Sequence, residues 1–163
     1  MMAEDLGTFE ATGRTLAIDF GSVRMGLAVS DGLGLTAQGL PTLDRTTNES
    51  DLGRIEQLAA DYAVVRIIVG HPISHSGEET KMSRRAARFA EQVRARVGLP
   101  VELWDERLTS LEADRFLRES GADRRKQPGL RDRVAAQILL QSYLDRRARE
   151  RAHTQPTGAR ADS

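Results

Sequence analysis

Residues Arg14–Asp31 read RTLAIDFGSVRMGLAVSD, two apolar runs of period two on either side of a Gly21-Ser22 turn. In the first run, Arg14–Phe20, Leu16 and Ile18 alternate with Thr15, Ala17 and Asp19; in the second, Met25–Asp31, the alternating residues are Met25, Leu27 and Val29. Such alternation predicts strands, and a link this short makes them antiparallel neighbours. Asp19 breaks the apolar pattern at the end of its strand, followed by Gly21 and, in the next strand, Gly26. A carboxylate there stands at the rim of the sheet, where the carboxyl ends of strands form a crevice. Taken alone, it is equally an Asp capping its own turn.

Working outward, a weaker third strand falls within Leu35–Leu43, and the period then changes. Asp51–Tyr62 sets Leu52, Ile55, Leu58 and Ala59 on one helical face. Val64–Gly70 (VVRIIVG) is a nearly continuous apolar run, as expected of a strand covered on both sides. Ser76 with Glu79 reads as a capping box opening a helix whose Met82, Ala86, Phe89, Val93 and Val97 follow 3.6 spacing, closed by Gly98 and Pro100. Val101–Trp104 is a short strand, Thr109 with Glu112 starts a capped helix ending at Gly121, and a last helix runs over about Leu130–Arg149. This order predicts an α/β fold, a mixed sheet with helices on both faces. Residues 1–13 and 150–163, polar and without apolar period, read as flexible tails around one domain, 14–149.

Two more acids occupy places like that of Asp19. Glu106 follows directly on Val101–Trp104, again at a strand's carboxyl end, although a solvated acid beside Arg107 would look the same. Asp132 heads a helical face continued by Ala136, Leu140 and Tyr143. An acid in the first helical turn is favourable in itself, yet this one leads a face that must pack on the sheet. Burying an ionised carboxylate is costly unless it is paired or bound to a metal. Ala135 and Ala136 are small enough to let the helix approach closely. Three acids on two strand ends and one helix start, in a chain without Cys, suit hard cations such as Mg²⁺ or Mn²⁺, and paired ions of that kind serve phosphodiester cleavage.

Composition sets bounds on this reading. The 163 residues suffice for one domain with a real core, 39% are hydrophobic, and no apolar run approaches the roughly 20 residues of a membrane span. With no Cys there is no disulfide framework and no thiol nucleophile, which fits a cytoplasmic location. The formal net charge is zero, with an acidic N-terminal and a basic C-terminal segment, so a nucleic-acid face must come from clustering within a neutral body. Nearly all the positive charge is Arg, a good phosphate fork. The three His are His71, His75 and His153, and they form no Ser–His–Asp arrangement.

Several motifs resemble those of the YqgF-type (RuvX-like) family: Ile18-Asp19-Phe20-Gly21 with Arg24–Asp31, Ile68–Pro72, Leu103–Thr109, and Asp132-Arg133-Val134-Ala135-Ala136 leading to Leu140–Leu144. The likeness spans about residues 14–146 and implies a ribonuclease H-like fold with a mixed five-stranded sheet, similar to Holliday-junction resolvases. It implies a metal-dependent nuclease that matures the 5′ end of pre-16S rRNA, with a four-way DNA junction as the alternative substrate. Its acidic positions fall on Asp19, Glu106 and Asp132, as catalytic residues and metal ligands. Arg24, Arg107, Arg124, Arg125 and Lys126 become the expected phosphate contacts. Two departures stand out. His71 replaces the Leu usual between the Gly and Pro after the fourth strand, and nothing acidic ends that strand, unlike in junction resolvases. His71 has three open roles: orienting water, binding phosphate, or packing beneath Pro72. A supporting role is expected, since a two-metal site supplies hydroxide without a base.

Two other classes compete. An actin-like or sugar-kinase-like ATPase also uses Asp-x-Gly to hold phosphate, but needs a second such half that 163 residues do not supply. A catalytically silent module binding RNA or a transcription complex would be hindered by three unneutralised acids. Monomer and homodimer are both open.

Overall fold

The structure, a computed structural model, describes residues 13–108 and 129–154. Strands β1 (Arg14–Asp19), β2 (Arg24–Ser30) and β3 (Ala37–Asp44) come first, followed by helix α1 (Asn48–Asp61), strand β4 (Val64–His71) and helix α2 (Lys81–Val97). Strand β5 (Val101–Asp105), a 3₁₀ turn (Glu106–Leu108) and helix α3 (Leu130–Thr154) complete the order. They build one five-stranded sheet, β3-β2-β1-β4-β5. As the sequence implies, β1–β2 and β2–β3 are antiparallel; β4 then joins β1, and β5 joins β4, both parallel.

Strand alternation sorts the residues into two cores. Leu16 and Ile18 of β1 with Phe20 just beyond it, Met25, Leu27 and Val29 of β2, and Ile67 and Val69 of β4 face one way, where Ile55 of α1 and Phe89 and Val93 of α2 cover them. Ala17, Ala28 and Ile68 face the other way, against Ala136, Leu139, Leu140 and Tyr143 of α3. Among the described residues helices therefore lie on both faces, two on one and α3 on the other.

The α3 face is the closer-packed of the two. At Gly26 an added Cβ would lie 2.0 Å from the Asp132 carbonyl oxygen and 3.3 Å from the Ala136 Cβ. The small residues of this helix do let its backbone descend onto β2. Helix α3 is also tied to edge strand β3: Arg133 Nε donates to Leu40 O (3.2 Å), Gln137 Nε2 to Ala37 O (3.2 Å), and Gln141 Oε1 accepts from Ala37 N (3.0 Å). The side chains satisfy backbone groups that an edge strand otherwise offers to other chains.

Two boundaries differ from the sequence reading. Helix α2 starts at Lys81, capped by a reciprocal Thr80–Ser83 box rather than by Ser76 and Glu79. Ser74 and Ser76 are instead drawn into a turn, in which Glu78 N donates to Ser74 Oγ (3.0 Å), while Thr80 Oγ1 anchors to Pro72 O (3.0 Å). Helix α3 continues past Arg149 to Thr154, helped by the Arg146–Glu150 pair one turn apart. The expected helix between Thr109 and Gly121 lies outside the described residues, as does most of both expected tails.

Candidate active site

Asp19, Glu106 and Asp132 come from three elements that meet at one rim of the sheet. Asp19 ends β1 on the α3 face, continuing the parity of Ala17. Glu106 follows β5 and folds back over β4, where the missing side chain of Gly70 leaves its space: a Cβ at Gly70 would be 2.0 Å from Glu106 Oε1. The place where junction resolvases were expected to carry a strand-end acid is thus filled from the neighbouring strand. Asp19 and Glu106 are in hydrogen-bond contact.

That contact has an electrostatic signature. Burial, then the hydrogen bond to Asp19 and the charges of Asp19 and Asp105, push the Glu106 carboxyl up to about 9. Asp19 is raised too, chiefly by burial and also by the charge of Asp132, against lowering contributions from the Glu106 hydrogen bond and Arg131. The hydrogen bond lowers Asp19 and raises Glu106, so Glu106 is the donor of the contact and Asp19 the acceptor. Two acids sharing a proton are short of positive charge.

Asp132, at the head of α3, is near enough for its charge to raise Asp19, but its own Oδ2 accepts from Arg24 Nε at 3.3 Å. Among the described residues no three acidic or histidine side chains are gathered closely enough to hold a metal as they stand. The structure brings Asp19 and Glu106 together and leaves Asp132 beside them, paired with Arg24. The expected phosphate contacts are similarly engaged: Arg107 forks onto Asp105, with Nε–Oδ2 at 2.9 Å, and this pairing holds the Asp105 carboxyl below its usual range. Arg124, Arg125 and Lys126 lie outside the described residues.

His71 follows the parity of Ile67 and Val69, away from the acids, and its Nε2 stands 3.6 Å from Glu79 Oε1 with no hydrogen-bond partner. Two features escaped the sequence reading. Arg131 stands close enough to Asp19 to act on it, for which its place in the first turn beside Asp132 was a usable signal. The fully buried Asp51 accepts from Arg45 Nε (3.2 Å) and from Thr46 N (3.1 Å); only the fold brings that pair under Phe20.

The sheet order and the acid-bearing rim define a ribonuclease H-like fold of the resolvase type. The solved structure of T. thermophilus RuvC in complex with a Holliday junction substrate is similar with a TM-score of 0.55, over 83% of this chain and 96% of that one, at 14% identity, a likeness of fold alone. Residues 13–146 match the model of the RuvX family, described as Holliday junction resolvase. The chain is 47% identical to a protein of Anaeromyxobacter sp. (strain K) named "Putative pre-16S rRNA nuclease", over 83% of this chain and 98% of that relative. A protein of the same name from Koribacter versatilis (strain Ellin345) is 44% identical over 85% of this chain and 91% of its own length. The chain belongs to the RuvX family, a family of nucleases.

Proposed function

We propose that this chain is a divalent-metal-dependent endonuclease of structured nucleic acid that matures the 5′ end of pre-16S rRNA. The observation that carries the reading is the proton-sharing contact of Asp19 with Glu106, beside Asp132. Its donors are all carboxylate oxygens, the ligands that Mg²⁺ and Mn²⁺ take. Burial has left Asp19 and Glu106 sharing a proton where a cation would serve. Asp19 and Glu106 would hold the ion, and Asp132 would join them by exchanging its pair with Arg24. Bound there, the cation would acidify a water and stabilise the leaving oxygen.

The chain's own groups do the rest. With a cation held there Glu106 would be ionised, Arg24, no longer paired with Asp132, would be a fork for the phosphate, and Arg131 would add positive charge at the head of α3. Arg107, Arg124, Arg125 and Lys126 complete the proposed backbone contacts. His71, facing Glu79, supports the loop into α2 rather than moving a proton at the acids. Among the described residues no helix is long and apolar enough to cross a membrane, and pre-rRNA is met in the cytoplasm. Cleavage of four-way DNA junctions is the second reading, favoured by the family's description and the RuvC likeness.

The test is cleavage of a 5′-extended 16S precursor and of a four-way junction, side by side, with Mg²⁺ or Mn²⁺. Asp19→Asn, Glu106→Gln and Asp132→Asn should each lower the rate on the preferred substrate by at least about 10²-fold. Undiminished cleavage by Asp19→Asn would remove the proposed site, and cleavage of the junction alone would replace the RNA reading with the resolvase one.

A further inference from the structure

A second basic feature opens at the same rim as the acids but on the other face of the sheet. Phe20, the residue after Asp19, turns toward α1 and α2 and floors a cavity of about 220 Å³ whose walls carry Arg45, Arg85 and Arg88. With a water's share of the liquid at about 30 Å³, this is room for a phosphate group and several waters.

The three arginines differ in how they are held. Arg45 is built in: its Nε meets Asp51, one Nη donates to Gly21 O (3.2 Å), and its guanidinium lies 4.6 Å from the centre of the Phe20 ring. Asp51 neutralises it, so Arg45 forms wall rather than net charge. Arg85 and Arg88 are exposed, have no ion pair among the described residues, and no acid lines the cavity with them.

Their placement is costly without an anion. Like charges three residues apart on a helix repel, and positive charge near a helix N-terminus opposes the macrodipole. Helix α2 has no acid in its first turn, where Lys81 and Arg84 stand just ahead of Arg85, whereas α1 carries Glu49 and Asp51 in the corresponding place. Because Phe20 follows Asp19, a strand of nucleic acid with one phosphate at Asp19 has a route across this rim to the cavity.

From this geometry we infer that the cavity between α1 and α2 is a phosphate subsite, in which Arg85 and Arg88 grip a backbone phosphate flanking the scissile bond. The inference rests on the nuclease reading above for the direction of the strand, but not for the existence of the subsite. Arg45, stacked on Phe20 and clamped by Asp51, shapes its floor.

The experiment measures binding of a labelled RNA hairpin with a single-stranded 5′ extension by anisotropy, in EDTA, across a salt series. The double variant Arg85→Gln/Arg88→Gln should bind about tenfold more weakly, with a salt slope smaller by about 1. Arg84→Gln, on the same helix but outside the cavity, should keep both values. Inorganic phosphate should shift the side-chain NMR signals of Arg85 and Arg88 in the wild type. The double variant should melt no lower than wild type, because its change relieves repulsion. An unchanged slope in the double variant, or an equal loss in Arg84→Gln, would overturn the subsite in favour of a diffuse basic face. Binding lost in the double variant of a protein that cleaves neither substrate would keep the subsite and sink the nuclease reading. Cleaving wild type with an unaffected double variant would do the reverse.

Discussion

The two faces of the sheet are built to opposite rules. Toward α1 and α2, the strands send Leu16, Ile18, Met25, Leu27, Ile67 and Val69, filling a thick layer with branched side chains and closing it with Phe89. Toward α3, they present Ala17, Gly26, Ala28 and Gly70, and the helix comes down until its backbone meets the strand. The first face stabilises by volume; the second gives up volume for position, because Glu106 and the head of α3 need the space that larger side chains would take. A substitution on the thick face should therefore cost stability and spare the chemistry, and one on the thin face should do more harm to the chemistry.

The sharpest break comes at Gly26→Ala. Its new Cβ, 2.0 Å from the Asp132 carbonyl oxygen, meets backbone that cannot rotate away, so the head of α3 must lift. Misplacement on the scale of an ångström costs about 10²-fold in rate, and forced overpacking adds about 1–3 kcal/mol of instability. Cleavage assays and urea unfolding on one preparation read both. Gly32→Ala supplies the control: its added Cβ meets nothing within 4 Å, so the rate should stay within about threefold, an energy under about 1 kcal/mol.

The thick face is tested by Ile55→Ala, a fully buried side chain of α1. The loss should be about 2–5 kcal/mol in unfolding free energy, while the folded fraction cleaves at nearly the wild-type rate. A rate loss as large as that of Gly26→Ala would erase the distinction between the faces.

A further test is a pH effect confined to the thin face. Glu106 sits at about 9 in the fold against an ordinary 4.5, so the folded chain keeps a proton that the unfolded chain has lost between those values. Stability from this group is full below about pH 4.5 and falls as the pH rises through 9. Metal-free wild type should lose melting temperature over that window relative to Glu106→Gln, which keeps a donor toward Asp19 without titrating. Parallel curves would mean that the two acids do not share a proton.

Much of this was legible in the residues. The alternation around Gly21 disclosed β1 and β2 because each strand buries both parities and still differs in side-chain size. The apolar run of β4 disclosed a strand covered on both sides. Asp19 stood out because it ends an apolar strand with a charge, although only the fold separates it from an Asp capping its own turn. The start of α2 was hidden, since the Ser76–Glu79 spacing is locally as good a cap as Thr80–Ser83, and only the anchor from Thr80 to Pro72 decides between them. The meeting of Asp19 with Glu106 was legible as two strand ends, but not the folding of Glu106 over Gly70, which depends on the register of β4 with β5. Arg24 with Asp132, 108 residues apart, is a contact that no local pattern announces.

The row of Arg133, Gln137 and Gln141 against β3 has a consequence of its own. Spaced by four, these side chains act as the teeth of a key cut to the carbonyls and amide of one strand. A slip of one helical turn would carry Asp132 about 5.4 Å along the axis and leave every tooth facing the wrong notch. The strand farthest from β5 thus gauges where α3 begins, so that the depth of an acid beside Asp19 is measured off from the opposite edge of the sheet.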